Sequence, residues 1–192
     1  MNRVIDRAMP NARENIVLIG FASTGKSTTG RSLAQRLGWG FVDLDDIVEA
    51  LHIEEKGEKR RCREIFNLFG RECFINYETR AIERLREAHH TIIATGGGTP
   101  ISEINRPMTK ALGITVYLNA RVEAIFDRMA GKGYPEYLGP DPTLNNLRQL
   151  WETRHEIYAG LADITVDNTD TSPEETAGRI IEAYNNLSFS SL

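Results

Sequence analysis

Eight consecutive residues, Gly20-Phe21-Ala22-Ser23-Thr24-Gly25-Lys26-Ser27, carry the spacing G-x-x-x-x-G-K-S of a phosphate-binding loop. The chemistry follows from the residue types. Gly20 and Gly25 accept backbone angles that a side chain would forbid, so successive N–H groups can turn inward. Together with the positive end of a following helix, those N–H groups form a nest for phosphate oxygens. Ala22, Ser23, Thr24, Gly25 and Thr28 would supply the nucleotide-binding walls. Lys26 suits the β- and γ-phosphates of ATP, and the Ser27 hydroxyl suits Mg²⁺.

Two further groups could join this chemistry. Asp43 and Asp45 follow an apolar Phe41-Val42 pair, and in extended backbone they would point to one side. Carboxylates at the C-terminal end of a strand lie where open α/β sheets bind ligands. One could hold Mg²⁺ through water while the other orients an attacking hydroxyl or takes its proton. The plainer alternative is a helix cap at Asp45 or Asp46, with the cap reading favoured for Asp46. Gly96-Gly97-Gly98, directly after an apolar run, would let a ligand approach the backbone closely.

The elements needed to position these groups are visible around them. Residues 15–19 read as a buried strand, and residues 26–37 as a helix with Leu33, Ala34 and Leu37 on one face and Gly38 as its cap. Further strands are expected at 41–42, 91–95, 114–118 and 162–166. Helices are expected at 47–51, on both sides of Gly70 up to residue 88, and at 104–112, 121–129 and 144–158. His89-His90 would end the second helix of that pair, and Trp39 and Trp151 read as packing residues. Ser172-Pro173-Glu174-Glu175 opens a last helix with a capping box. The mixed-charge run 54–63 reads as a solvated helix face or connection. Glycines and prolines crowd residues 130–142, which suits a mobile lid. Strands alternating with helices imply a parallel sheet covered on both faces.

Composition bounds the rest. A chain of 192 residues is long enough to bury a sizeable core. Its formal charge of -4 gives no nucleic-acid footprint, and no apolar run is long enough to span a membrane. Cys62 and Cys73 lack metal-ligand spacing and form no disulfide framework, which fits a reducing cytoplasm. Residues 1–14 read as a polar tail before a single domain at 15–192.

The phosphate loop, Phe41-Val42-Asp43-Leu44-Asp45, Ile65-Phe66, Phe74 with Glu78, Ala94-Thr95-Gly96-Gly97-Gly98, Arg154-His155-Glu156-Ile157-Tyr158 and Ala162-Asp163 occur in an order that resembles the shikimate kinase family. The resemblance implies an α/β, three-layer P-loop fold with a central five-stranded parallel sheet and a mobile lid. It implies ATP and Mg²⁺ and transfer of the γ-phosphoryl group to a hydroxyl of a small acid such as shikimate; a monomer is expected separately. Carried over by position, Lys26 would bind the transferred phosphate, Ser27 and Asp43 the metal, and Asp45 the acceptor hydroxyl as the candidate base. Gly97 and Gly98 would present backbone to the substrate, Arg154 would grip its carboxylate, and Arg128 would stack near adenine. Two arginines of the family pattern are missing: Ile75 follows Phe74, and Tyr134 opens the lid motif. A hydrogen bond to a charged group contributes roughly 1.5–3 kcal/mol, so each loss is expected to cost about ten- to hundredfold. Arg71, four residues before Ile75, and Lys132 in the lid are candidate replacements, each with a plain surface-charge alternative. A different alcohol acceptor, or a nucleotide-binding regulatory protein with little turnover, are the other readings.

Overall fold

The computed structural model describes residues 15–131, 133–135 and 138–189. The expected tail at 1–14 and the Lys132 replacement lie outside the described residues. Five strands form one parallel sheet in the order β2-β3-β1-β4-β5: β1 Ile16–Ile19, β2 Gly40–Asp43, β3 Thr91–Ala94, β4 Ile114–Asn119 and β5 Ile164–Asp167.

The central strand shows why the sheet is covered on both sides. Ile16 and Leu18 pack with Leu33 and Ala34 of α1 (Lys26–Leu37) and with Ala177 and Ile180 of α7 (Pro173–Phe189). Val17 and Ile19 point the other way and pack with residues of α2 (Leu44–Lys56), α3 (Cys62–Arg84), α5 (Val122–Ala130) and α6 (Leu144–Leu161). All four residues of β1 are fully buried. Period-2 alternation with apolar residues at every position can only be satisfied between two helical layers. A 3₁₀ turn at Thr99–Ile101 and the short α4 (Asn105–Lys110) complete the chain between β3 and β4.

Several expected boundaries move. α2 begins at Leu44, so Asp45 lies in a helix and not in extended backbone. Its N-cap is Asp43, whose carboxylate accepts from Asp45 N, and not Asp46. The helix also runs on to Lys56 and stops at Gly57, which has a left-handed φ of 70°. The charged run is therefore a helix end followed by a connection at 58–61. Helical backbone on either side of Gly70 is interrupted there, at φ 79°, as its position predicted. α3 ends at Arg84, so His89-His90 stands beyond the helix, with His90 edge-on to Trp39 at 5.2 Å. The capping box before α7 forms in both directions, Ser172 N to Glu175 Oε2 at 2.8 Å and Glu175 N to Ser172 Oγ at 3.1 Å.

Candidate active site

The C-terminal ends of the strands converge on the loop after β1. Gly20 and Gly25 take positive φ, 142° and 85°, as their place in the motif requires, and Ser23 adopts a left-handed φ of 62°. Thr24 Oγ1 donates to Phe21 O at 2.9 Å and ties the loop to itself. Lys26 Nζ reaches back to Gly20 O and Phe21 O at 2.9 and 2.8 Å. The ammonium is thus held over the loop it must serve.

Ser27 Oγ donates to Asp43 Oδ2 at 2.5 Å. A hydroxyl beside a carboxylate, next to a nest for phosphate oxygens, is the hard oxygen donor set that Mg²⁺ takes. These residues fit a nucleotide-bound Mg²⁺. Among the described residues no group of three or more His, Cys, Asp or Glu side chains forms a separate metal cluster.

One helical turn places Asp45 beside this pair. Burial, and then the negative charge of Asp43, push its carboxyl up to about 6, with Lys26 pulling the other way. Gly96 lies close against it: a Cβ on it would lie 2.9 Å from Asp45 Oδ1 and 3.0 Å from Thr99 Oγ1. A Cβ on Gly97 would lie 3.0 Å from Ala22 N, and Gly97 O accepts from Tyr158 OH at 2.6 Å. Gly98 faces open space at its Cα. A cavity of about 200 Å³ has Ser23, Lys26, Ser27, Asp43, Asp45 and Gly97 in its walls. The structure therefore brings together the loop, both aspartates and Gly97.

The guanidinium groups divide. Arg154 lies over the Phe21 ring at 5.2 Å, next to the loop. Arg128 Nη2 donates to Asn168 O and Thr169 O at 2.9 and 2.7 Å. Arg71 is exposed and Ile75 half-buried on α3. In the lid segment, Tyr134 packs on Phe126 with ring centroids 4.8 Å apart, and Leu138 is buried in the core. A second groove, of about 280 Å³, runs between the start of α5 and α6, and its arginines Arg121 and Arg148 are ion-paired with Asp170 and Glu123. It holds none of the loop chemistry.

Sequence reasoning gave Glu78 no role of its own. It is 2% exposed, accepts from Thr99 Oγ1 at 2.5 Å and from Asn105 Nδ2 at 3.4 Å, and burial pushes its carboxyl up to about 7. The available signal was a carboxylate on the apolar face of α3, where Ile75 and Ile82 recur at helical spacing. Cys62 Sγ lies 3.4 Å from Asp45 O, and burial with the surrounding carboxylates pushes its thiol up.

Residues 22–185 match the family model for shikimate kinase. The shikimate kinase of Geobacter sulfurreducens is 37% identical over 173 residues, covering 90% of this chain and 92% of that protein. That of Symbiobacterium thermophilum is 36% identical over 171 residues, covering 88% and 94%. Among solved structures, shikimate kinase from Acinetobacter baumannii in complex with shikimate superposes with a TM-score of 0.79 at 30% identity, over 90% of this chain and 93% of that one. A gluconokinase from Sinorhizobium meliloti shares the fold alone, with a TM-score of 0.51 at 15% identity over 94% and 98% of the two chains.

Proposed function

We propose a phosphoryl transfer for this chain from one premise: it belongs to the shikimate kinase family. It is an ATP- and Mg²⁺-dependent phosphotransferase with an alcohol acceptor, and the acceptor is shikimate. The observation that carries the reading is the convergence of Lys26, Ser27, Asp43 and Asp45 on one cavity beside the phosphate loop.

ATP supplies the γ-phosphoryl group, and Mg²⁺ offsets its charge. The residues do the rest by position and charge, which is most of what phosphoryl transfer needs. The loop N–H groups seat the phosphates. Lys26 Nζ exchanges its carbonyl partners for phosphate oxygens. Ser27 would hold the metal directly and Asp43 through water. Asp45, with its raised pKa, accepts a hydrogen bond from the acceptor hydroxyl and takes its proton as the new bond to the γ-phosphorus forms and the bond to the β,γ-bridging oxygen breaks, with ADP as the leaving group. Gly97 and Arg154 flank the acceptor. Thr28 and Arg128 border the nucleotide, and Gly98 and Arg71 remain expectations at the acceptor end.

A second reading, a different alcohol, is favoured by Ile75 and Tyr134. Both are apolar or aromatic where the family pattern has arginine, and Tyr134 is packed on Phe126. Two free thiols and the absence of a membrane-length helix among the described residues accord with a cytoplasmic enzyme. We take it to be a monomer, with residues 15–192 as one domain.

Coupled ADP release from the purified chain with MgATP, with and without shikimate, tests the reading. We expect shikimate-dependent turnover that Lys26→Ala abolishes while the fold survives. ATP binding with no shikimate-dependent turnover would move the acceptor to another alcohol. Undiminished turnover in Lys26→Ala would refute the role of the loop.

A further inference from the structure

Asn168 is the first residue after β5 and is distant in sequence from the phosphate loop, yet it is bonded to it. Its side chain is 4% exposed. Nδ2 donates to Thr24 O at 2.5 Å, and its own backbone N donates to Asn119 O, at the end of β4, at 2.9 Å. Its backbone O accepts from Arg128 Nη2 on α5. Oδ1 is buried and has no hydrogen-bond partner among the described residues.

The orientation of this amide is forced. Turning it over would set Oδ1 against Thr24 O, two acceptors with no proton between them. In this orientation Nδ2 holds one carbonyl while Oδ1 has no partner among the described residues. An unpaired buried acceptor works against stability. A side chain retained at that cost calls for an explanation in the site it touches.

The explanation lies in peptide geometry. Thr24 C=O and Gly25 N–H belong to one planar unit, and no peptide bond among the described residues is cis. In a trans peptide the two groups point in opposite directions. Pinning Thr24 O toward Asn168 aims Gly25 N–H the other way, across the loop. Ser23 and Gly25, on either side of Thr24, both have left-handed φ, the arrangement that turns successive N–H groups to one side. Gly25 lines the cavity that holds Lys26 and Ser27. We infer that Asn168 is a positioning residue for nucleotide binding, which aims Gly25 N–H at a phosphate oxygen by clamping the carbonyl of Thr24.

The inference rests on the kinase reading, and it reaches further. Arg128, at the C-terminal end of the helix that leads into the lid segment, holds the backbone of Asn168 and Thr169. A continuous set of hydrogen bonds therefore joins α5 to the phosphate loop through Asn168.

The test measures MgATP affinity by calorimetry for the full chain and for Asn168→Asp and Asn168→Thr. Asp is the same size but has no proton to give Thr24 O, and the Thr hydroxyl ends short of it. Both variants are expected to bind MgATP about tenfold or more weakly, by loss of a bond to a charged ligand, while the KM for the acceptor alcohol stays as in the wild type. The amide resonance of Gly25, in a ¹⁵N-labelled sample, should shift on MgATP addition in the wild type and much less in the variants. A purely structural role would lower Tm and leave the MgATP affinity and the Gly25 shift unchanged, which would overturn the inference. Failure of the wild type to bind MgATP would overturn the kinase reading with it. Should Asn168→Asp fail to fold, Asn168→Thr decides alone.

Discussion

Asp45, half-buried, and Glu78, buried, are carboxyls on neighbouring helices, and both are held above the usual carboxylate range, chiefly by desolvation. They differ in what they face. Asp45 opens on the cavity with Lys26, whereas Glu78 looks inward to Thr99 and Asn105. That difference gives Glu78 a thermodynamic signature. Its carboxyl rises from 4.5 to about 7 on folding, so the folded state binds its proton more tightly than the unfolded chain. The stability it contributes is full below about pH 4.5 and is lost as pH rises through about 7. One pKa unit corresponds to about 1.4 kcal/mol, so the change is on the order of 3 kcal/mol. Urea unfolding of the wild type and Glu78→Gln across that window should show the wild type losing this much relative to the variant. Parallel pH profiles would mean that Glu78 is ionised in the fold at no cost. The placement of Lys26 and Ser27 at one cavity was legible in the sequence because their motif is written in eight adjacent residues. Glu78 was not, because its role depends on Thr99 and Asn105, some twenty to thirty residues away. Asn168 is a harder case still: its partner Thr24 is 144 residues distant.

At the scale of elements, most helices and strands could be read from period and caps, and the errors fell where two signals overlap. Asp43-Leu44-Asp45 alternates like a strand, yet Asp43 is also an N-cap. The cap prevails because its carboxylate satisfies an otherwise unpaired helical N–H. The result keeps both aspartates at the site by a different route, one at the strand end and one in the first helical turn. The approach of α1 to the sheet was invisible beforehand. Gly30, inside α1, would place a Cβ 2.6 Å from Phe41 Cε2 and 3.2 Å from Leu18 Cδ1. The Phe41 ring is itself covered by the Arg31 guanidinium at 4.5 Å. Helix propensity alone favours Ala over Gly by about 1 kcal/mol. Overpacking of a filled interior costs about 1–3 kcal/mol, and here the contact falls on a half-buried ring packed against the core. Gly30→Ala should therefore be destabilising in urea unfolding. A gain in stability would show that the ring moves aside freely and that α1 does not need its glycine.

The whole molecule is organised by its parallel sheet, which brings the C-terminal ends of all five strands to one edge. Alternating strands and helices predicted a parallel sheet, but not its order. That order depends on which crossovers pack, and no single segment records it. The edge carries the phosphate loop after β1, Asp43 on β2, Thr95 after β3, Asn119 at the end of β4 and Asn168 after β5. Through Asp43 at the end of β2 and Asn168 just after β5, the phosphate-binding motif is bonded at the ends of both outer strands. A nucleotide seated there is held by elements from across the sheet, so it should stabilise the fold as one unit. Binding to the native state alone, at one hundred times Kd, adds about 2.7 kcal/mol. For a chain of this size each kcal/mol raises Tm by about 2–4 °C, so saturating MgATP should raise Tm by about 5–11 °C. Lys26→Ala, which lacks the ammonium proposed to hold the phosphates, should lose most of that rise while keeping nearly the wild-type Tm without ligand. A wild-type Tm that ignored MgATP would mean that the five strand ends do not form a nucleotide site. A rise undiminished in Lys26→Ala would locate nucleotide binding in the loop backbone alone.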